Sequence, residues 1–164
     1  MRENNQYGEE QLYDNILIKA IQSLGGLNIN PMHYAGSLIG LSEEQAGHEN
    51  MDHEKLELIK KLNITMNYTV DYAYTIVLPL SEVDVHMMHE GAELGLTTEH
   101  LKQHQCFDEY SQGSLTLRAI KSIKREGNIE FDEALEIAEN LSDIEKSSLS
   151  IGLSLEQLKH PYIW

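Results

Sequence analysis

The sequence is poor in residues that cross-link or stiffen small proteins. Among 164 residues there are one cysteine, three prolines, two phenylalanines and one tryptophan. The single cysteine, Cys106, excludes an intramolecular disulfide framework. A chain of this length, of which 41% is hydrophobic, can still bury a core without disulfide or metal cross-links. We therefore expect it to fold without covalent or metal support.

Positive charge is also scarce. Twelve basic residues stand against 27 acidic residues, which gives a formal net charge of −15 at pH 7. This excess opposes binding to nucleic acid and to anionic membranes. Seven of the twelve basic residues lie in two equivalent segments: Lys55, Lys60, Lys61, Arg118, Lys121, Lys124 and Arg125. Four of them, Lys60, Lys61, Lys124 and Arg125, would close helices and complement the negative end of the helix dipole, so we expect no nucleic-acid partner.

Long apolar runs are missing as well. No run approaches the roughly 18 apolar residues of a membrane span, and residues 1–10 lack the apolar core of a signal peptide. The sequence therefore predicts a soluble protein with a flexible N-terminus at residues 1–10 and no membrane span.

The chain contains three copies of one short sequence pattern, at residues 38–45, 93–100 and 150–157. Its glycines, Gly40, Gly95 and Gly152, lie 55 and then 57 residues apart. Self-similarity at such a spacing is typical of stacked supersecondary units. We predict an all-α, solenoid-like helical repeat bundle of about two and a half units of roughly 56 residues. It would form one domain over residues 11–164, with units at about 11–66, 67–127 and 128–164.

Each unit is expected to run through helices A, B, C and D. Helix A shows apolar residues at helical spacing, as from Tyr13 to Leu24 and from Phe131 to Leu141. Asn30, Ser81 and Ser142 are N-cap residues that would begin helix B. The glycines are suited to the left-handed position after it, and Ser42, Thr97 and Ser154 would cap helix C. Helix D lies around Leu56 to Leu62 and Leu115 to Ile123, and the third unit has none.

Residues 64–78 allow two interpretations. Ile64, Met66 and Tyr68 begin an alternation typical of a half-buried strand, but Val70, Ala73 and other residues also form a helical stripe. A lone strand would leave its backbone hydrogen-bonding groups without partners. We therefore favour a helix from about Thr69.

Histidine is the residue type that could form a catalytic or metal site. His86 and His89 are three residues apart, and His100 and His104 are four apart, so on helices each pair would share a face, as a bound Zn²⁺ requires. Cys106 follows closely. The order His-Met-Met-His-Glu at residues 86–90 is neither H-E-x-x-H nor H-x-x-E-H, so we predict no catalytic residues, no metal and no cofactor. A metal-dependent or cysteine hydrolase centred on these five residues is the alternative.

The aromatic residues favour contact with a partner over catalysis. Tyrosine and tryptophan are enriched in interface hot spots, and a solenoid offers a concave face on which to present them. The candidate partner-binding residues are Tyr68, Tyr72, Tyr110, Tyr162 and Trp164. The sequence therefore predicts a non-enzymatic module that binds another protein. A self-assembling structural element is a further alternative, and a homo-oligomer is left open.

Residues 152–162, read as GLSLEQLKHPY and preceded by ALEIA at residues 134–138, resemble degenerate helical repeats of effectors injected into host cells by Legionella-type bacteria through type IV secretion. Glu133, Glu136, Glu139 and Glu145 echo the glutamate-rich C-terminal region of such effectors. The resemblance implies a protein made in the bacterial cytoplasm and exported to the host cytosol. Its partner would be a host protein or a fellow effector. It transfers no catalytic residues.

Overall fold

The computed structural model describes residues 30–159 and is all-helical in that range, with ten α-helices and two 3₁₀ turns. The all-α prediction is confirmed. The chain divides into two compact units, one ending at Leu80 and the other beginning at Ser81. The predicted flexible segment 1–10 and the first helix A, with Tyr13 and Leu24, lie outside the described residues. The predicted limits of the domain and of its units stay predictions.

The first unit contains four described helices. They are α1 (Pro31–Leu38), α2 (Glu43–Ala46), α3 (His53–Thr65) and α4 (Val70–Val77). α3 contributes Leu58, Ile59 and Leu62 to its core, and all three are fully buried. The ammonium of Lys55 donates to the carbonyl oxygens of Asn50 at 3.0 Å and Leu78 at 2.6 Å. A buried cation thus ties α3 to the C-terminal end of α4, because the Leu78 carbonyl, at the end of α4, lacks a partner within that helix.

The second unit contains six helices and both 3₁₀ turns. The helices are α5 (Glu82–Gly91), α6 (Thr98–Gln103), α7 (Tyr110–Gly127), α8 (Phe131–Glu139), α9 (Asp143–Ser150) and α10 (Leu155–Lys159), and the turns are Ala92–Leu94 and Gln105–Phe107. α7 is central to this unit, since α5, α8 and α9 all pack on it. Thr116, Leu117, Ala119 and Ile120 are buried. Because three helices pack on α7, small polar residues of this helix, such as Ser114 and Ser122, are buried along with its apolar ones.

The repeated pattern is a helix end followed by a helix start, as predicted. Gly40, Gly95 and Gly152 have φ values of 103°, 116° and 116°, a region that costs any residue with a Cβ. At each site the next residue, a leucine, donates its N–H to the carbonyl five residues earlier, at 2.9, 3.0 and 3.0 Å. These bonds satisfy carbonyls that the ending helix leaves without partners.

The next helix begins two residues after each glycine. Ser42 and Gln45 exchange side-chain and backbone hydrogen bonds in a capping box, and Ser154 and Gln157 do the same. Thr97 forms an equivalent box with His100. The predicted caps of helix B are also confirmed, because Asn30, Ser81 and Ser142 each accept from a backbone N–H of the helix that follows.

Residues 64–78 contain no strand. α3 continues to Thr65, Asn67 takes a left-handed conformation with φ 59°, and Thr69 caps α4 at Val70. The predicted helix from about Thr69 is confirmed. Helix formation wins because it satisfies the backbone within the segment, whereas the described part of the chain offers no strand to pair with.

None of the helices within residues 30–159 has the length and apolar character needed to cross a bilayer.

Candidate functional site

The richest group of titratable side chains lies between α6 and α8 in the second unit. They border a cleft with a volume of about 620 Å³, called here the α6–α8 cleft. It is lined by Thr97, Glu99, His100, Gln103, His104, Asp132, Leu135, Glu136 and Glu139. Two histidines of the predicted site therefore share one cleft with four carboxylates.

His100 is held from both ring nitrogens. Its Nδ1 accepts the backbone N–H of Thr97 at 2.9 Å, and its Nε2 lies 2.6 Å from Asp132 Oδ1. A backbone N–H can only donate, so Nδ1 carries no proton, and Nε2 donates to the carboxylate. The ring is mostly buried, and it also lies 4.7 Å from the ring of Phe131, centroid to centroid. His100 is thus a capping and bridging residue in a fixed tautomer.

Glu139 accepts hydrogen bonds from two further side chains. Its Oε2 accepts from His104 Nδ1 at 2.9 Å and from Cys106 Sγ at 3.7 Å. Burial raises the pKa of the Cys106 thiol to about 11, and the negative charge of Glu139 adds to the rise. The thiol therefore stays protonated at neutral pH. A nucleophilic cysteine needs a stabilised thiolate, and burial beside the carboxylate of Glu139 disfavours the thiolate.

The four histidines of the metal alternative occupy different places. His86 lies on α5 with its ring 5.6 Å from that of Tyr110, centroid to centroid, and His89 lies one turn later on α5. His100 and His104 lie on and just after α6, with ring centroids 6.1 Å apart. Within residues 30–159 no three histidine, cysteine or carboxylate side chains come together in a way that could hold a metal ion.

A smaller polar cluster joins α5 to α7. Glu90 Oε2 accepts from Ser114 Oγ at 2.9 Å and from the Tyr110 hydroxyl at 3.4 Å. Burial raises the pKa of Tyr110, and the nearby charge of Glu90 raises it further. The Tyr110 hydroxyl therefore keeps its proton and donates a hydrogen bond to Glu90.

The five candidate partner-binding residues are spread over the chain. Tyr72 is 54% exposed, and its ring lies edge-on to that of Tyr68 at 5.0 Å in the first unit. Tyr110, in the second unit, is 46% exposed. Tyr162 and Trp164 lie outside the described residues. The tyrosines that can be placed are available for contact, but they belong to two separate units.

Apolar surface is also exposed near the C-terminal end of the second unit. Ile137 and Leu141, at and after the end of α8, face Leu155 and Leu158 of α10 across a groove of about 440 Å³. Ile144, on α9, is 79% exposed, and Ile151, the residue that follows α9, is 81% exposed. Exposed large apolar groups that lie close together mark interaction surfaces more often than isolated ones do.

The sequence alone did not place Asp132 and Glu139 beside the histidines. Asp132, Glu136 and Glu139 recur at helical spacing on α8, so one acidic face could have been recognised. The residues that this face contacts could not be recognised from the sequence, because the histidines lie more than 30 residues away in the chain.

Comparison with protein-family models, with curated proteins and with solved structures finds no match for this chain.

Proposed function

We propose that this protein is a non-enzymatic protein–protein interaction module built from about two and a half helical repeats. The proposal rests on the same local structure at Gly40, Gly95 and Gly152. At each site a left-handed glycine ends one helix and a capping box begins the next. Repeat arrays generally present extended surfaces to other macromolecules.

A second equivalence supports the repeat arrangement. Asn67 and Asn128, which are 61 residues apart, both end a long helix in the left-handed conformation. Four residues before each, a side chain donates to the carbonyl just after the asparagine. Asn63 Nδ2 donates to Tyr68 O at 2.7 Å, and Lys124 Nζ donates to Ile129 O at 3.1 Å. The two junctions thus have the same backbone conformation and the same hydrogen-bond pattern, formed by different side chains.

The first residue of the helix that follows each junction packs against the repeated glycine. A Cβ on Gly40 would lie 3.5 Å from Val70 Cγ2, and a Cβ on Gly95 would lie 2.9 Å from Phe131 Cβ. Val70 and Phe131 are the first residues of α4 and α8. Both glycines therefore serve as contact points for the next helix A.

The enzymatic alternative has weaker support. Cys106 shares Glu139 with His104 in place of pairing with a base, and its raised pKa of about 11 disfavours the thiolate. Together with the resemblance of residues 152–162, this favours a secreted bacterial effector, or a regulator of one, that acts by binding.

Affinity capture followed by direct titration tests this function. The full chain is immobilised, proteins are captured from bacterial and host lysates, and each candidate is purified and titrated against it. The surface is acidic, so we expect a partner with a basic face and at least tenfold weaker affinity in 500 mM than in 50 mM NaCl. An unrelated acidic protein of similar charge is the control.

Two results would contradict the proposal. One is the absence of any purified candidate that binds directly. The other is hydrolysis of a substrate in a screen that Cys106→Ser or His104→Ala abolishes, since this would identify an enzyme.

A further inference from the structure

Helix α9 has one covered side and one open side. On the covered side, Lys146 Nζ donates to Thr116 Oγ1 of α7 at 3.1 Å, and Ser122 Oγ of α7 donates to Leu149 O at 2.9 Å. Leu149 is fully buried. On the open side lie Ile144, on α9, and Ile151, the residue that directly follows α9. They are seven residues apart and so on the same face, with Ser148 between them. We call these three residues the α9 outer face.

The corresponding face of α5 is covered. Counted back from the repeated glycine, Ile144 occupies the position of Met87, and Ser148 occupies the position of Gly91. The helix-ending bonds agree with this register, because Leu96 donates to Gly91 O and Leu153 donates to Ser148 O, both at 3.0 Å. Met87 is fully buried, whereas Ile144 is 79% exposed. Equivalent positions thus differ in whether anything covers them.

The covering element on α5 is helix α7. A Cβ on Gly113 of α7 would collide with Met87 Sδ, and a Cβ on Gly91 would lie 3.0 Å from Leu117 Cδ2 of α7. The two helices therefore approach closely where each has a glycine. No helix in the described part of the third repeat takes this position on α9.

Charge indicates what kind of helix fits the open face. From residue 128 to residue 159 the chain has eight acidic and two basic residues. α7 itself carries four basic residues and one acidic residue: Arg118, Lys121, Lys124, Arg125 and Glu126. A basic helix would complement this acidic region and orient itself on it, and its apolar side would cover the two isoleucines.

We infer that the α9 outer face is a docking site for a basic amphipathic helix of a partner protein, with a small residue at the point of closest approach. The inference rests on the proposed function and its repeat register. Binding an amphipathic helix through one apolar face is a common mode of recognition. The two exposed isoleucines are the anchors, and the excess of acidic over basic residues in 128–159 sets the preference for a basic partner.

The probe is a fluorescent peptide of residues 110–128, which copies α7 and has a net charge of +3 from four basic and one acidic residue. Its anisotropy is titrated with the full chain. We expect saturable one-to-one binding that Ile144→Asp weakens at least tenfold. Ile64→Asp, which changes an isoleucine that is 61% exposed on α3, is the matched control and should bind as the unmodified chain does.

Peptide controls separate docking from simple charge attraction. A peptide with Leu117→Ser keeps the charge but loses an apolar contact, so it should bind at least tenfold more weakly. A scrambled peptide of the same composition should show no saturable binding. Circular dichroism of the Ile144→Asp protein checks that the substitution, at an exposed position, leaves the fold intact.

Several outcomes would overturn the inference. These are no saturable binding, equal binding by Ile144→Asp, or equal binding by the scrambled peptide. Binding only after deletion of residues 160–164 would assign the face to this chain's own C-terminal residues, and self-association lost in Ile144→Asp would assign it to a second copy. Partners captured equally by Ile144→Asp and the unmodified chain would overturn the docking site while leaving the proposed function standing.

Discussion

Single side chains in the α6–α8 cleft have structural partners that define their chemistry. His100 replaces the glutamine found at the same position of the other two capping boxes, where Gln45 and Gln157 accept the same backbone N–H. A neutral imidazole can do so because Nδ1 is a hydrogen-bond acceptor. Burial and the negative charge of Glu139 raise the pKa of the adjacent Cys106 thiol, which disfavours its thiolate.

We expect Cys106 to react slowly with iodoacetamide at pH 7 to 9, with a rate midpoint near pH 11, because burial and Glu139 raise its pKa to about 11. Glu139→Gln should lower the midpoint by removing the nearby negative charge. Glu136→Gln, on the same helix, is the control. A midpoint near 8.5 in the native protein would contradict this assignment.

The same shift has a consequence for stability. From the ordinary value of 9.0 up to about 11, the unfolded chain releases the thiol proton while the folded chain retains it. The contribution of Cys106 to the free energy of unfolding therefore falls as pH rises through this interval. Chemical denaturation at pH 8 and pH 10.5, compared between the unmodified chain and Cys106→Ser, measures that contribution.

At the scale of helices, the repeated glycine serves two roles that can be separated. Its left-handed conformation ends the preceding helix at all three sites, and at Gly40 and Gly95 its bare backbone also admits the next helix A. At Gly152 nothing lies within 4 Å of an added Cβ. The third site therefore isolates the conformational requirement from the contact.

Alanine substitution should reveal the difference. Gly152→Ala should lower the free energy of unfolding by about 1 kcal/mol, the cost of a left-handed residue with a Cβ. Gly95→Ala should lower it by about 1–2 kcal/mol more, because its Cβ would meet Phe131 Cβ at 2.9 Å. Urea denaturation of the two variants measures both values. Equal losses would show that the contact with α8 contributes nothing.

At the scale of the whole molecule, charge is the dominant property. A net charge of −15 over 164 residues makes the folded chain repel itself, since folding brings the carboxylates closer together. Lys55 and Lys146 are buried inside the units, where their ammonium groups donate hydrogen bonds to a carbonyl and a hydroxyl oxygen. Few basic residues are left to offset the acidic surface.

We therefore expect added salt to stabilise the protein. The thermal midpoint should rise between 10 mM and 150 mM NaCl and level off above that, because the screening length falls from about 30 Å to about 8 Å over this range. Equimolar sucrose, which adds no ions, is the control. A midpoint that falls with added NaCl would show that attractive ion pairs dominate over repulsion.

The sequence by itself determined the local structure. Caps, left-handed glycines and the helix from Val70 were predictable because each depends on residues within about five positions along the chain. The acidic face of α8 could be recognised from its spacing for the same reason. The all-α class followed from these elements together.

The tertiary structure decided which of these elements meet. Met87 and Ile144 are apolar residues that lie eight positions before Gly95 and Gly152, yet one is buried and the other exposed, because α7 covers only the first. Likewise, Cys106 and His104 are close in sequence but meet at Glu139, which is more than 30 residues away. Burial and pKa depend on packing between distant segments, and local sequence does not encode those contacts.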